Sequence, residues 1–447
     1  MRRTLAIAIA ALALAQPAGA QNVPIEYYKL DNGLKVVLSQ DPSTPVVAVG
    51  VYYDIGFRIE PRDRTGFAHL FEHMMFQGSK NLGKNQFIQL IESSGGQLNG
   101  STRFDFTNYY EVVPAHALER TIWAEADRMR GLDITQENLT NQQGVVKNEV
   151  KVNVLNQPYG GFPWIDMPMA ANTNWYNAHN FYGELEDLDA ATLEDVQKFF
   201  RQYYAPNNAV FVLNGNFEKT QAKQWIQKYF GVLPRVELAP QPDITEPRQT
   251  EPREKVRHDP KANRPALAVG YHAPKQMTPE YFAMGLLDQI LVQGRDSRLY
   301  QRLVQEKGMA AGISATMNGL GNMFNIKGPT IYTMSLIHDN DKPADSIIKE
   351  IETEITRLQS EPVAQAELDR ALTKMRSQLY SMWESFVGFG RADMLASFAL
   401  FYDDPQWINR LEAEFKKVTP AMIQQVAKEY LRTTNRTVVK VTNQPVS

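Results

Sequence analysis

From Tyr27 the chain alternates apolar and polar residues at a period of two, "YYKLDNGLKVVLSQD", with Asn32-Gly33 as a hairpin signal between two runs. "PVVAVGVYYDIG" follows from Pro45. Period two predicts strands, because successive side chains of an extended chain point to opposite faces. The apolar spacing then lengthens, and helices are predicted around 65–77, 84–94, 115–130, 136–156 and 192–204. A strand-like "NAVFVLNGN" from Asn208 closes this half. Next comes "PRVELAPQPDITEPRQTEPREKVRHDP", rich in proline and charge, which reads as a linker. From about Asn263 the pattern restarts with "PALAVGYHAP", continues through further helices and ends on "RTVVKVTNQ".

The two halves echo each other. "TLEDVQKFFRQYYAPNNAVFVLNGN" from Thr192 overlays "TPAMIQQVAKEYLRTTNRTVVKVTN" from Thr419 without a gap, at an offset of 227 residues. Thr, Gln, Tyr, Asn, Val and a final Asn coincide, and both stretches read as helix, short loop, strand. The fold class expected is α+β, as two similar domains, each a mainly antiparallel sheet packed with helices. The expected boundaries are 21–233 for the first domain, 234–262 for the linker and 263–447 for the second domain.

Composition narrows the setting. With 447 residues, 43% hydrophobic and 22% charged, the chain has material for two or three globular domains. A net charge of -3 without a Lys/Arg-rich block argues against nucleic acid as a partner. "MRRTLAIAIAALALAQPAGAQ" carries Arg2 and Arg3, an apolar run from Leu5 to Ala15, then Ala18-Gly19-Ala20. That is the order of a secretory signal peptide over 1–20, cut after Ala20, with no membrane span expected once it is removed. The paired arginines leave the Sec and twin-arginine routes both open. Export without a single cysteine suits a bacterial periplasm and excludes disulfides, thiolate zinc sites and a cysteine nucleophile.

The candidate chemistry sits in "GFAHLFEHMMFQG", residues 66–78, where His69, Glu72 and His73 interrupt an apolar helix. Thr65 reads as its N-cap and Gly78 as its stop. Residues four apart share one helical face with Cβ atoms about 5–6 Å apart, which lets two imidazoles converge on one ion. Glu72 flanks the same face, within reach of a water on that ion. A lone histidine on such a face is ordinarily a core residue; a pair enclosing a glutamate is not explained that way. Other motifs fail. "GSKNLGKN" has Asn85 where a phosphate loop needs Ser or Thr, and "GFGRAD" lacks the third glycine of a dinucleotide fingerprint. His116, His179, His258, His272 and His338 are scattered and read as structural or surface residues.

H-x-x-E-H inverts the H-E-x-x-H order of the zincins and resembles the motif of the inverzincins, the pitrilysin-type metallopeptidases. Nearly the whole mature chain resembles that family, and most of all its half-length members, such as bacterial processing-peptidase-like proteases and mitochondrial processing peptidase subunits. "GGQLNGSTRFDFTNYY" resembles the family's glycine-rich turn and following strand, and "QGVVKNEVKVN" the helix that supplies a third ligand. The resemblance implies zinc held by His69, His73 and Glu149, with Glu72 as general base. Sequence alone would not select Glu149, although Leu139, Gln142, Val146, Glu149 and Asn153 do fall along one helical stripe. The resemblance also implies that an edge strand, here Leu98 to Thr102, pairs with extended peptide substrates, with Asn99 as the polar contact.

Two departures matter. Many relatives carry an acid where this chain has Gln142. They also carry an arginine and a tyrosine in a stretch resembling "REKRGLAY"; here "VQEKGMAA" puts Val304 and Ala311 at those places, with Tyr300 and Arg302 out of register. The resemblance implies a four-domain clamshell of which this chain is half. A dimer is therefore expected, with a non-identical homologous subunit supplying the Arg/Tyr pair, or a self-paired chain that positions substrate differently. The function expected is a secreted zinc endopeptidase. The alternatives are a non-catalytic or partner-dependent subunit of a protease-like heterodimer, and a periplasmic metal carrier that would have no use for Glu72.

Overall fold

A computed structural model describes residues 22–444, so the signal peptide read over 1–20 lies outside the described residues. The first six strands form one sheet: β1 (Glu26–Lys29), β2 (Lys35–Gln40), β3 (Val46–Tyr53), β4 (Gln97–Thr102), β5 (Thr107–Pro114) and β6 (Ala209–Gly215). Their spatial order is β1-β2-β6-β3-β5-β4, antiparallel except where β6 runs parallel to β2. The second sheet holds β7 (Arg253–His258), β8 (Ala266–His272), β9 (Ser314–Thr316), β10 (Ile331–Ile337) and β11 (Arg436–Thr442). Its order is β7-β11-β8-β10-β9, antiparallel except for the β7/β11 pair. Strand β7 lies inside the stretch read as linker. Its alternating "REKVRH" is too charged for a buried strand but suits an edge, and residues 234–252 before it form no helix or strand.

The echo in sequence is an echo in structure. The helices before the two closing strands, Leu193–Tyr203 and Pro420–Tyr430, are capped by Thr192 and Thr419, each accepting the backbone N–H three residues on. At their far ends Asn208 donates to the Tyr203 carbonyl at 2.9 Å, and Asn435 to the Tyr430 carbonyl at 2.7 Å. The coinciding residues are thus the punctuation of one helix–loop–strand unit used twice.

Six helices place the site: α1 (Phe67–Met74), α2 (Leu118–Arg130), α3 (Gln136–Val150), α4 (Asp166–Ala171), α5 (Leu193–Tyr203) and α6 (Phe389–Tyr402). Helix α1 lies against β4 and β5, burying Phe67, Leu70, Phe71 and Met74, and Phe71 stacks on Phe199 of α5 with centroids 4.8 Å apart. The lobes exchange helices. Helix α6, from the second half, covers β6, β3 and β2 of the first sheet, where Asp393 accepts from the Tyr52 hydroxyl at 2.8 Å. Helix α4, from the first half, packs on β11 and β8, with Met167 and Ala171 against Ala268 and Val439. Each sheet therefore buries one face under the other half's chain.

Candidate active site

Helix α1 begins later than its sequence suggests. Gly66 adopts φ +83°, a conformation unfavourable for a residue with a Cβ, and helical geometry starts at Phe67. Thr65 is not the cap. Its hydroxyl bonds Asp187 and accepts from the Glu184 N–H at 2.9 Å. The helix N-terminus is satisfied instead by Glu60, whose fully buried carboxyl accepts from Gly66 N at 2.9 Å and Ala68 N at 2.5 Å. Burial pushes Glu60 up to about 8, against the lowering effect of those two donors. Helix α1 ends at Met74, so Gly78 stands beyond it rather than at its stop.

His69 is buried, 4% exposed, and His73 sits one turn on at the mouth of the site, ring centroids 5.0 Å apart. Both present Nε2 to Glu149 from α3: His69 at 3.6 Å from Oε1 and His73 at 3.2 Å from Oε2. Atoms bound to one tetrahedral zinc at 2.0–2.2 Å lie roughly 3.3–3.6 Å apart, so these separations are close to the edges of such a ligand set. The donor chemistry fits as well, two imidazoles and a carboxylate with their ligand atoms all within 4.8 Å of one another. Hydrogen bonds from the two histidines hold the Glu149 carboxyl well below the usual carboxylate range. Leu139, Gln142 and Val146 of the stripe are buried beneath it, but Asn153 is exposed. Asn153 belongs to a π-helical turn, Lys151–Leu155, none of whose residues is buried, so the stripe ends where this turn leaves the packed part of α3.

Glu72 is set by the sheet. The Thr102 hydroxyl donates to its Oε2 at 2.7 Å, which leaves Oε1 free. Gly100 lets the strand approach, since a Cβ there would lie 3.2 Å from Glu72 Cγ. Asn99, one residue before Gly100, belongs to the other face. It pairs with Tyr110 across the ladder, and its Oδ1 accepts from Gly100 N at 2.9 Å. Strand β4 is last in the sheet order, so among the described residues its outer backbone edge is free of strand partners. The structure thus brings His69, Glu72, His73 and Glu149 together and leaves the Asn99 side chain apart.

Three residues at this site escaped the sequence reading. Thr102 shares a face with Gly100 by strand alternation, a signal that was available once β4 was known to lie under α1. Glu60 and Tyr182 have no local signal. Tyr182 reaches His69 edge-on, ring centroids 5.0 Å apart, from a loop far along the chain. The remaining histidines serve structure where they bond backbone: His179 to Trp175 and Phe57, His272 to Ala171, His338 to Asp339, and His258 to Thr442. Arg302 is committed to Glu350, at 2.6 Å, and to Glu306.

Comparison with known proteins agrees with this geometry. A family model described as insulinase, peptidase family M16, matches residues 35–159, and one described as the peptidase M16 inactive domain matches 190–375. The chain is 26% identical over 423 residues to the zinc protease PqqE of Helicobacter pylori, covering 93% of this chain and 92% of that one. A crystal structure of a protease from Helicobacter pylori superposes with a TM-score of 0.86 at 26% identity, over 94% of this chain and 100% of the other. The periplasmic protease PqqL of Escherichia coli shares the fold at 17% identity and a TM-score of 0.75, with 94% of this chain matching 48% of that one. The chain belongs to the M16, pitrilysin-type, peptidase family, among its half-length members. Among the described residues no helix is long and apolar enough to cross a membrane.

Proposed function

We propose that this chain is a zinc-dependent endopeptidase of the bacterial periplasm, hydrolysing peptides or unfolded segments. The observation that carries the reading is the convergence of His69 and His73 Nε2 on the Glu149 carboxylate, with Glu72 held beside them by Thr102. Bound there, zinc would polarise the scissile carbonyl and lower the pKa of a water to roughly 7. His69 and His73, whose Nε2 atoms face the Glu149 carboxylate, would hold the ion through Nε2 with their proton on Nδ1. Glu72 takes the proton of the attacking water at Oε1, the oxygen Thr102 leaves free, and hands it to the departing amine. General-base action of this kind is worth on the order of 10²–10⁴-fold. The free edge of β4, next to Thr102, supports an extended peptide paired through its backbone, which selects chains that are not folded.

The test is hydrolysis of quenched fluorescent peptides by the purified protein. Cleavage should vanish with a chelator and return with zinc; cleavage indifferent to chelation would refute the zinc mechanism. A second reading, a dimer whose non-identical partner supplies an Arg/Tyr pair, is supported by Val304 and Ala311 and by Arg302 being tied to Glu350. It predicts a zinc-loaded chain that cleaves only when mixed with such a partner.

A further inference from the structure

The second lobe repeats the frame that carries the candidate metal site. Its sheet order, β7-β11-β8-β10-β9, reproduces β2-β6-β3-β5-β4 strand for strand, with the one parallel pair in the same place. The helix after β8, Pro279–Leu291, packs on the helix Gln365–Trp383, as α1 packs on α3. Here "GLLDQ", residues 285–289, takes the place of "HLFEH", residues 69–73, and the second and third residues of both runs are fully buried. Gln378 and Glu149 are each the fourteenth residue of their helices. The contact between the two helices is kept as well. Gln289 Nε2 donates to Gln378 Oε1 at 2.8 Å, where His73 Nε2 faces Glu149 Oε2 at 3.2 Å.

The chemistry has changed. Gly285, Gln289 and Gln378 stand in for His69, His73 and Glu149, and Asp288 for Glu72, which leaves no ligand set for zinc. At Gly285 a Cβ would lie 3.1 Å from Met323 Cε, so a thioether closes in where the imidazole would stand. What remains is a cavity of about 370 Å³ with Asp288, Gln289 and Gln378 on its wall, enough for a small ligand. Asp288 is held by the Tyr332 hydroxyl, 3.0 Å from Oδ1, and by Gln293 Nε2, 2.9 Å from Oδ2. Gln289 is 2% exposed, and its Oε1 has no hydrogen-bond partner, a costly state for a buried acceptor. Among the described residues no lysine or arginine lines the cavity. The Lys374 ammonium is taken by the Gln289 and Gln293 carbonyls, at 2.8 and 2.7 Å, and by Asp296 at 3.1 Å. A carboxylate and an orphaned acceptor side by side call for a donor that carries positive charge. Met317, Met323, Met375 and Met382 line the rest, and thioethers adapt readily to an alkyl chain.

We propose that this cavity binds an alkylammonium group, which donates to Asp288 and Gln289 Oε1 while its chain lies along the methionines. A free amine and the lysine side chain of a peptide present the same chemistry. The site is separate from the metal site and does not depend on it.

Calorimetric titration of the purified full chain with pentylammonium chloride tests this. The uncharged control is 1-pentanol, and a blocked tripeptide, acetyl-Ala-Lys-Ala-amide, is the second probe. Saturable binding of one pentylammonium per chain is expected, unchanged by a chelator, with pentanol at least about 10-fold weaker. Asp288→Asn keeps the shape, removes the charge and should weaken binding about 10–100-fold. Gln378 is exposed at the cavity mouth, so Gln378→Glu adds a carboxylate there and should tighten binding about 2–5-fold, a gain that misfolding cannot produce. Displacement of pentylammonium by the tripeptide assigns the site to peptide lysines; pentylammonium binding without displacement assigns it to free amines. The proposal is overturned if neither probe binds saturably, if pentanol binds as tightly, or if Asp288→Asn changes nothing. Binding abolished by the chelator would place the amine on the metal and overturn it equally.

Discussion

Replacing Gly183 with alanine tests how α1 is held. A Cβ at that position would lie 2.4 Å from Gly66 N, 2.5 Å from Gly66 Cα and 2.6 Å from the Thr65 carbonyl carbon. All three are backbone atoms at the entry to the metal-binding helix, so no side chain can swing aside. Gly183 also has φ +81°, where an L-residue costs roughly 1–2 kcal/mol. Forced repacking adds about 1–3 kcal/mol. Together the substitution should cost about 2–5 kcal/mol, or a fall in melting temperature of about 4–20 °C for a folding unit of roughly 150–250 residues. The control is Gly131→Ala, where the backbone is extended and a Cβ meets nothing within 4 Å; it should shift melting by no more than about 1 °C. Both would be measured by calorimetry on metal-free protein, so that zinc binding cannot mask the loss. Equal melting of Gly183→Ala and Gly131→Ala would refute the claim that this loop is clamped to α1.

Two other outcomes are expected. Thr102→Val removes the donor to Glu72 Oε2 at nearly constant shape, and a hydrogen bond to a charged group is worth about 1.5–3 kcal/mol. Peptide hydrolysis should fall roughly 10–100-fold at unchanged zinc content, and a loss of zinc in parallel would show the residue to be structural instead. Glu60 rises from an ordinary 4.5 to about 8 on folding, so between those pH values the native state binds the extra proton. That contribution is fully present below about pH 4.5 and is lost as pH rises through 8, a fall of at most about 5 kcal/mol. Glu60→Gln cannot ionise, so denaturation followed across this window should show a flatter pH slope than the wild type; an unchanged slope would assign it to another group.

What was legible in the sequence was whatever repeats locally. The i, i+4 histidines with Glu72 between them carry their geometry in their spacing, and in α1 the two rings lie 5.0 Å apart, centroid to centroid. The half-chain echo was legible because Thr192 and Thr419, and Asn208 and Asn435, are identical caps on equivalent helices. What was not legible depends on chain segments that meet only in three dimensions. Thr65 has the chemistry of an N-cap but is drawn away by Asp187, and Glu60 takes its place. The alternation of β4 separates Asn99 from Thr102, yet which face meets α1 is decided by packing. The turn after Glu149 that holds Asn153 is π-helical and unburied throughout, and nothing in "KVNVL" announces it. The exchange of α4 and α6 between the sheets has no local signature at all.

The proposed mechanism turns on Glu72 acting as the base in peptide hydrolysis. Its most direct test is to measure zinc content and cleavage of a quenched fluorescent peptide pool together, on the wild type and on Glu72→Gln. One zinc per chain is expected in both proteins, with cleavage by the wild type and a loss of at least about 100-fold in the variant. A Glu72→Gln protein that keeps its zinc and cleaves at the wild-type rate would contradict it.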